Sequence, residues 1–508
     1  MVSSLSKAVI GGIKTLTLLW LNLKMGNFNF RFIFKTMGFL LIIESILLML
    51  SAVVSFYYHE ISGDAFLISA SITIGVGVIF RLLGAETREQ FIGKREGFLV
   101  VSLSWVVLSA FGMLPFLFSG VIPRVSDAYF ETMSGFTTTG STIIPDVDVV
   151  PLGLLFWRCL TQWVGGLGIV VFALAVLPII GGNASFLFDA ETTGIARERF
   201  QPRVTQVAKR LLFTYIAITS IIAVLLWLGP MNAFDAICHA LSTASTGGFS
   251  TKQASIAYWD SAYIDYVITI FMFVGGINFS LIYFLFKGKY KKLFQNEELK
   301  WYFFIYITFT AVITLGLIYS GKISVAEDAF RTSIFQVTSA ITTTGFSTAD
   351  FTSWGPFYMF LIYCLMMICA CAGSTSGGIK VIRVVVLFKN AINEFKRQVH
   401  PNAILPVRIN NQVLPVDVVT KILAFIFLYL LILFVSFLVL SFTGIDFEDS
   451  ITASVSCMGN VGLGSLSDSG HFGHLSDTAK WYLSFLMLTG RLELFTILSL
   501  FMPAFWRK

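Results

Sequence analysis

Ten apolar segments, each long enough to cross a lipid bilayer, restrict the fold of this chain more than any other feature. A transmembrane helix needs about 20 predominantly apolar residues. The ten segments lie at residues 36–58, 65–84, 97–119, 152–180, 209–230, 259–286, 300–320, 354–388, 418–443 and 478–504. Only 13% of the residues are charged, against about 25% in soluble proteins. The sequence therefore predicts an all-α integral membrane protein with ten transmembrane helices.

Basic residues are distributed unevenly over the connections between these segments, and their distribution predicts the orientation. Both termini and alternate connections carry 28 of the 35 lysine and arginine residues. Because short cytoplasmic loops are enriched in these residues, this side and both termini are predicted to be cytoplasmic. Acidic residues show the opposite bias and would concentrate cations at an outer mouth. They are Glu60, Asp64, Asp127, Glu131, Asp235, Glu327, Asp328, Asp446, Glu448 and Asp449.

The remaining composition argues against several other functions. The net charge of +6 comes from basic residues spread over short loops, so no nucleic-acid partner is expected. The six cysteines lack metal-ligand spacing and are interpreted as core residues. No Walker A sequence is present, and we expect neither enzymatic activity nor a covalently bound cofactor. Residues 1–35 are predicted to be a cytoplasmic or interfacial segment; within them, 8–23 form an interfacial helix or, if translation begins at Met25, upstream sequence.

Four connections on the outer side repeat one pattern. Each has a semi-apolar stretch of about 10 residues, too short to cross a bilayer, followed by a run of threonine, serine and glycine. The four connections are 127–142, 234–250, 330–347 and 447–465, with central glycines Gly140, Gly247, Gly345 and Gly462. Such a repeat predicts a unit of span, re-entrant loop and span, present four times. We predict two leading helices at 36–84, followed by repeats at 97–180, 209–286, 300–388 and 418–508.

The composition of these loops suits an ion filter. A short half-helix with an acidic cap at its start would point the negative end of its dipole at the pore axis. The polar run that follows can turn its carbonyl groups inward to replace the hydration shell of an ion. One such run also fits a polar turn, but four at equivalent positions favour a filter. The predicted potassium-binding residues are Thr138, Thr139, Gly140, Ser245, Thr246, Gly247, Thr343, Thr344, Gly345, Asn460, Val461 and Gly462.

The eighth apolar segment is interrupted by small residues that disfavour a helix. Glycine costs about 1 kcal/mol relative to alanine inside a helix, and irregular backbone at membrane depth must face protein or a water-filled cavity. We predict that the interruption crosses the pore below the filter as a movable gate; a packing kink is the alternative. The predicted gate residues are Gly373, Ser374, Thr375, Ser376, Gly377 and Gly378.

Together with these loops, three further stretches carry a resemblance to a known family. They are 156–178, which contains the run Gly165-Gly-Leu-Gly168, the interrupted segment 371–383, and 490–506 at the end of the chain. The sequence resembles the Trk/Ktr/HKT superfamily of potassium transporters, most closely its TrkH-type membrane subunit, over residues 25–508. The fourth loop departs mildly from the family pattern, because Leu463 stands where proline is common.

This resemblance implies more than the residues alone. It implies a bacterial cytoplasmic membrane protein, a homodimer of such chains and a cytoplasmic, nucleotide-binding regulatory subunit of the TrkA type. Glycine rather than serine at position 140 implies a preference for K⁺ over Na⁺. Arg491 is expected to project into the pore beneath the filter as part of the gate; a buried pair with a carboxylate is the alternative.

Other transport functions are also compatible with parts of the sequence. A cation symporter coupled to H⁺ or Na⁺ could use the same pore. A secondary carrier built from inverted repeats would also contain broken helices, but its filter-like loops would not all face one side. A non-transporting sensor or scaffold would not need four pore glycines. The sequence favours uptake of K⁺ as the transported ion.

Overall fold

The computed structural model describes residues 29–84, 94–166, 168, 204–464 and 470–506. Within these residues the chain is helical apart from turns and two small sheets. Two long helices come first and pack against each other, namely α1 (Phe30–Tyr57) and α2 (Ser62–Leu83). The Asn29 side chain caps α1 by accepting a hydrogen bond of 3.1 Å from the Phe32 backbone. Gly38 and Gly77 allow the two backbones to approach closely.

Four units of helix, short half-helix and second helix follow the leading pair. The first unit contains α3 (Lys94–Gly112), α4 (Leu114–Phe118), α5 (Val125–Phe136) and α6 (Leu152–Gly166). The second contains α7 (Val204–Leu228), α8 (Ala233–Ser245), α9 (Ala262–Gly275) and α10 (Phe279–Phe286). The third contains α11 (Tyr290–Gln295), α12 (Glu297–Tyr319), α13 (Ala326–Ile341), α14 (Pro356–Met367) and α15 (Val381–Val399). The fourth contains α16 (Val416–Phe442), α17 (Phe447–Gly459), α18 (Asp477–Arg491), α19 (Leu494–Phe501) and α20 (Pro503–Trp506).

Short elements complete the described part of the chain. Three 3₁₀ helices lie in the outer connections, at Ser255–Trp259, Phe351–Trp354 and Phe472–His474. Strands β1 (Ile368–Cys369) and β2 (Ile379–Lys380) pair in parallel and close the loop between them. Strands β3 (Arg408–Ile409) and β4 (Gln412–Val413) form an antiparallel hairpin. Its two turn residues, Asn410 and Asn411, both have positive φ, which suits a tight hairpin.

The half-helices α5, α8, α13 and α17 lie at the centre of the molecule. Most of their residues are buried, including serines and threonines that would be exposed on an ordinary soluble helix. The outer helices surround them and direct large apolar side chains outward, as a lipid-facing surface requires. Examples are Leu67, Val78, Phe304 and Phe434.

Second helices of the repeats are interrupted more often than the sequence predicted. Among the described residues, six helices are long and apolar enough to cross a membrane, or seven if α9 and α10 count as one span. The predicted interruption lies between α14 and α15. The predicted segments 259–286 and 478–504 are also interrupted, by a 109° bend between α9 and α10 and by a break between α18 and α19. Part of segment 152–180 lies outside the described residues.

Candidate ion filter and gate

All four half-helices end in the same backbone turn. The residue after each helix, or the one following it, has a left-handed φ between 53° and 57°; these residues are Thr138, Thr246, Thr343 and Asn460. The next amide donates to a carbonyl five residues earlier, which is a helix-terminating arrangement. The four bonds are Thr139 to Ser134, Gly247 to Ser242, Thr344 to Ser339 and Val461 to Ser456, each 2.9 Å long. Four segments of different sequence therefore share one conformation.

A glycine with positive φ follows this turn in every repeat. The four glycines are Gly140 (φ 84°), Gly248 (φ 80°), Gly345 (φ 88°) and Gly462 (φ 76°). L-residues with a Cβ resist this backbone conformation, so the position favours glycine. We refer to these four residues as the reversing glycines, because they follow the turn that ends each half-helix.

These glycines show that the four segments form a closed ring. A Cβ atom built on each glycine would overlap the carbonyl oxygen of the preceding position in the next repeat. The overlaps are Gly140 with Gly247, Gly248 with Thr344, Gly345 with Val461, and Gly462 with Thr139. The contacts run from the first repeat to the second, third and fourth, and then back to the first. The four predicted loops therefore contact one another in a closed ring through the carbonyl groups of Thr139, Gly247, Thr344 and Val461.

In the second repeat the structural register is shifted by one residue from the sequence prediction. The predicted set was Ser245, Thr246 and Gly247, with Gly247 matched to Gly140. In the structure Ser245 is the last residue of α8, and Gly248 is the residue that matches Gly140. The two adjacent glycines made both registers possible in the sequence, and the left-handed turn at Thr246 selects the later one.

Gln162 supports the second filter segment and was not identified from the sequence. It lies on α6 and is fully buried. Its Nε2 donates to the Gly247 carbonyl, and its Oε1 accepts a 3.0 Å hydrogen bond from the Phe249 amide. One side chain therefore holds the backbone on both sides of Gly248. A glutamine in an apolar helix was the only signal in the sequence.

The half-helices point their C-terminal ends at the ring, so their negative dipole ends face the centre. In α5, α8 and α13 the acidic residues occupy the first turn rather than the cap position that the sequence suggested, whereas Asp446 is the N-cap residue of α17 but accepts no cap bond through its side chain. Asn232 caps α8 instead, by accepting a 2.8 Å bond from the Asp235 amide. Acidic groups in the first turn still oppose the positive end of the dipole.

Two acidic residues that were assigned to the outer mouth form ion pairs beside the candidate filter: Glu131, which is buried, and Asp127, which is partly buried. Glu131 accepts a 2.8 Å bond from Arg158, and both side chains are almost completely buried. The same carboxylate accepts bonds from Thr142 and from the Ile143 amide, just after the first filter segment. The Arg158 guanidinium also lies 4.1 Å from the centre of the Phe249 ring, beside the second segment. This cluster positions two neighbouring segments of the ring.

A second ion pair closes the ring between the last repeat and the first. The Lys480 Nζ, on α18, lies 2.5 Å from Asp127 on α5 and 2.9 Å from the Gly473 carbonyl. The Lys480 side chain is fully buried. The neighbouring Phe472 amide donates a 2.8 Å bond to the Thr142 carbonyl. The outer loop of the fourth repeat is thereby fixed to the first filter.

The predicted gate residues 373–378, hereafter the gate loop, lie directly beneath the ring. Thr375 Oγ1 is 3.0 Å from Thr246 Oγ1 in the second segment. The Gly377 amide donates a 3.2 Å bond to Thr343 Oγ1 in the third segment. A Cβ on Gly377 would overlap the side chain of Asn460 in the fourth. The loop therefore occupies the axis at the inner end of the candidate filter.

Arg491 completes this closure from the last helix. Its Nη1 donates to Thr138 Oγ1 at 3.1 Å and to the Thr375 carbonyl, and its Nη2 donates to the Gly165 carbonyl at 2.7 Å. Arg491 therefore lies beneath the filter and binds both the first segment and the gate loop. The guanidinium also lies 5.9 Å from the centre of the Trp105 ring.

The bend in the second repeat makes room for the gate loop. The interruption after α9 frees backbone groups, and the Gly276 carbonyl accepts a 3.0 Å bond from Cys371. Asn278 donates a 2.8 Å bond to the Ala372 carbonyl. From the other side, the buried Glu298 carboxylate accepts a 2.7 Å bond from the Ala372 amide. A small cavity next to the loop is lined by Trp105, Lys380 and Glu493, among others.

Comparisons with known proteins agree with this architecture. The family model described as TrkH, cation transport protein, matches residues 63–508. The Trk system potassium uptake protein TrkH of Salmonella typhimurium is 38% identical over 488 residues, which cover 94% of this chain and 100% of the relative. The protein of the same name from Escherichia coli K12 is 37% identical over 483 residues, with the same coverage.

A solved structure leads to the same family. The crystal structure of the potassium transporter TrkH from Vibrio parahaemolyticus matches with a TM-score of 0.86 and 36% sequence identity. The match covers 94% of this chain and 100% of that one. The chain therefore belongs to the TrkH family of cation transport proteins.

Proposed function

We propose that this chain takes up K⁺ across the bacterial cytoplasmic membrane through the four-segment ring. The observation that carries the proposal is the closed contact between successive segments, each with a glycine of positive φ against a neighbouring carbonyl. A ring of main-chain oxygens can replace the water around an alkali cation. Relatives that match the full length of the chain are named potassium uptake proteins.

Ion binding is assigned to the residues of the shared turn. In the first, third and fourth repeats these are the predicted residues, and in the second repeat Gly248 joins Thr246 and Gly247. Glycine at all four reversing positions keeps the carbonyl ring uniform, because no side chain displaces a neighbouring strand. A uniform ring suits K⁺, the ion named for the relatives.

The gate loop and Arg491 would block conduction in the state described here. The loop fills the axis below the ring, and the guanidinium places a positive charge where a cation must leave. A like charge in a site of low dielectric repels a passing ion strongly. Opening then requires both groups to move away from the filter.

Orientation and assembly complete the proposal. The basic connections would lie in the cytoplasm with both termini. One face of α15 carries four exposed apolar side chains, namely Phe388, Ile392, Phe395 and Val399. Such a stripe suits a protein interface, and we assign it to a homodimer. A cytoplasmic nucleotide-binding subunit of the TrkA type would act on the gate from the same side.

Rubidium flux into proteoliposomes tests the filter. Gly345→Ser should abolish uptake or lose discrimination between K⁺ and Na⁺, because a side chain there overlaps the Val461 carbonyl. Gly75→Ser is the matched control, since Gly75 has open space around it. Normal selectivity in a correctly folded Gly345→Ser protein would contradict the filter assignment.

The gate is tested separately by removing residues 373–378. The deletion should raise basal rubidium flux, because it clears the axis beneath the ring. Arg491→Ala should raise flux as well. Unchanged flux in a folded deletion protein with an intact filter would mean that the interruption is only a packing kink.

A further inference from the structure

Glu493 has a strained backbone at the break in the last helix. It lies between α18 and α19, with φ 61° and ψ 137°. Side chains with a Cβ rarely adopt such a positive φ, and glycine would be the ordinary choice. Arg491, the residue beneath the filter, is two positions earlier. The backbone that positions Arg491 is therefore held in an unfavourable conformation.

An ion pair from another repeat holds this strained residue. Arg383 Nη2 lies 2.9 Å from Glu493 Oε1, and the Arg383 side chain is only 8% exposed. The guanidinium also stacks over the Phe425 ring, 3.7 Å from its centre. A charged hydrogen bond at this burial is stronger than a surface pair. Arg383 is thus fixed between a carboxylate and an aromatic face.

Arg383 lies close to the end of the gate loop. It belongs to the first turn of α15, five residues after Gly378. Lys380, between them, donates back to the Ser376 carbonyl and hydroxyl within the loop. A displacement of the N-terminal end of α15 must therefore move the loop as well.

Two side-chain bonds consequently connect the gate loop and the start of α15 to the end of α18 and the residues that follow it. The first is the hydrogen bond from Arg491 to the Thr375 carbonyl, on the axis. The second is the Arg383–Glu493 pair, below the axis. The chain between the two bonds is short, because Glu493 is two positions after Arg491 and Arg383 is eight positions after Thr375. If one of these two bonds is broken, the other still connects the two segments.

We propose that Arg383 and Glu493 are positioning residues that keep Arg491 beneath the filter, so that the gate loop and Arg491 open as one unit. The pair offsets the strain at Glu493 in the closed state. Without the pair, the backbone at Glu493 moves to a less strained conformation and displaces Arg491 from the axis. This inference rests on the gate assignment in the proposed function.

The experiment measures basal rubidium flux in proteoliposomes of the full chain. Glu493→Gln removes the charge with little change in shape, and should raise basal flux by about tenfold, the effect of losing one charge-assisted bond. The exchange Arg383→Glu with Glu493→Arg should return flux most of the way to the wild-type value. Glu394→Gln is the matched control, because it removes an exposed pair with Arg397 on the same helix as Arg383.

Combination with Arg491→Ala separates positioning from a general structural role. If the pair acts through Arg491, Glu493→Gln should add no further flux in the Arg491→Ala protein. Additive effects, or a Glu493→Gln protein with wild-type flux, would overturn the inference. If Arg491→Ala alone leaves flux unchanged, the gate assignment itself fails, which is a distinguishable result.

The thermal unfolding temperature of each purified variant shows whether that variant is folded. Arg383 retains its stacking on Phe425 in Glu493→Gln, so this variant is expected to fold. Glu493→Gly gives a second measurement, because glycine accepts the positive φ while removing the pair. Because glycine also removes the strain at this φ, flux should rise less in Glu493→Gly than in Glu493→Gln, and an equal or larger rise in Glu493→Gly would overturn the inference.

Discussion

At the scale of single residues, carbonyl groups and glycines form the proposed filter. Each reversing glycine is restricted twice, by its positive φ and by the oxygen of the next segment. Neither restriction depends on which residues form the half-helix, so the four segments can differ widely in sequence. Asn460 shows this freedom: it replaces threonine in the fourth segment, keeps the left-handed turn and donates to Thr139 and to the Met487 carbonyl.

The register of the second segment gives a prediction at this scale. Gly248→Ala should reduce rubidium uptake by at least about tenfold, since the positive φ alone costs of order 1–3 kcal/mol and the added Cβ also meets the Thr344 carbonyl. The atoms nearest to a Cβ on Gly247 belong to the Gln162 side chain rather than to a backbone carbonyl, and Gly247 does not have positive φ. Gly247→Ala should therefore reduce uptake less than Gly248→Ala, and an equal or larger loss would contradict the register.

The sequence predicts the structure best where a backbone conformation favours a single residue type, as positive φ favours glycine. The glycines at 140, 345 and 462 were identified because each stands alone at the end of a polar run. Gly248 was missed because Gly247 precedes it and composition cannot choose between them. Gln162 and the Glu131–Arg158 pair were missed because their partners are more than 20 residues away in the chain. Periodicity carries no information on such contacts.

At the scale of elements, the repeats are tied to one another by a few buried polar contacts. The Lys480–Asp127 pair joins α18 of the last repeat to α5 of the first. Hydrogen bonds from Phe472 to Thr142, from Asn460 to Thr139 and from Arg491 to Thr138 also join these two repeats.

Removal of the lysine from this pair should therefore destabilise the protein. Lys480→Met leaves the Asp127 carboxylate partly buried without its cation and should lower the free energy of unfolding by about 3 kcal/mol. Asp127→Asn combined with Lys480→Met should lose much less, because no uncompensated charge remains. Thermal unfolding in detergent measures both, and equal losses would show that the pair acts only through packing.

Interrupted helices show what the sequence could and could not predict for elements. Gly373 to Gly378 was recognised because six small residues interrupt an apolar run. The bend after α9 has a weaker signal, Gly275-Gly276 followed by Asn278, and the bend depends on bonds to the gate loop. The break at Glu493 has a weak signal too, Gly490 three positions earlier. The Glu493 carboxylate pairs with Arg383, which is 110 positions earlier in the chain.

At the scale of the whole molecule, one chain supplies a pore that would otherwise need four subunits. Pseudo-fourfold order surrounds the axis at the filter but is lost below it, where the gate loop comes from the third repeat and Arg491 from the fourth. The overall architecture followed from the sequence, because apolar length, loop charge and a fourfold repeat are all local patterns. The asymmetric closure required the structure.

Assembly of the chain gives a prediction at this scale. Phe395 is 71% exposed on the apolar stripe of α15, so Phe395→Asp should shift a homodimer toward monomer. Light scattering of the detergent-solubilised protein measures the mass. Phe434→Asp, on the exposed face of α16, is a control of similar exposure. A dimer that withstands Phe395→Asp would place the interface elsewhere.

Ion density on the filter axis tests the central claim most directly. Rubidium or thallium can replace K⁺ in crystals, and either ion gives an anomalous signal. The predicted result is a peak on the axis, coordinated by the backbone oxygens of Thr139, Gly247, Thr344 and Val461. A well-ordered filter with no ion between these oxygens, or ions bound only at side chains elsewhere, would contradict the assignment.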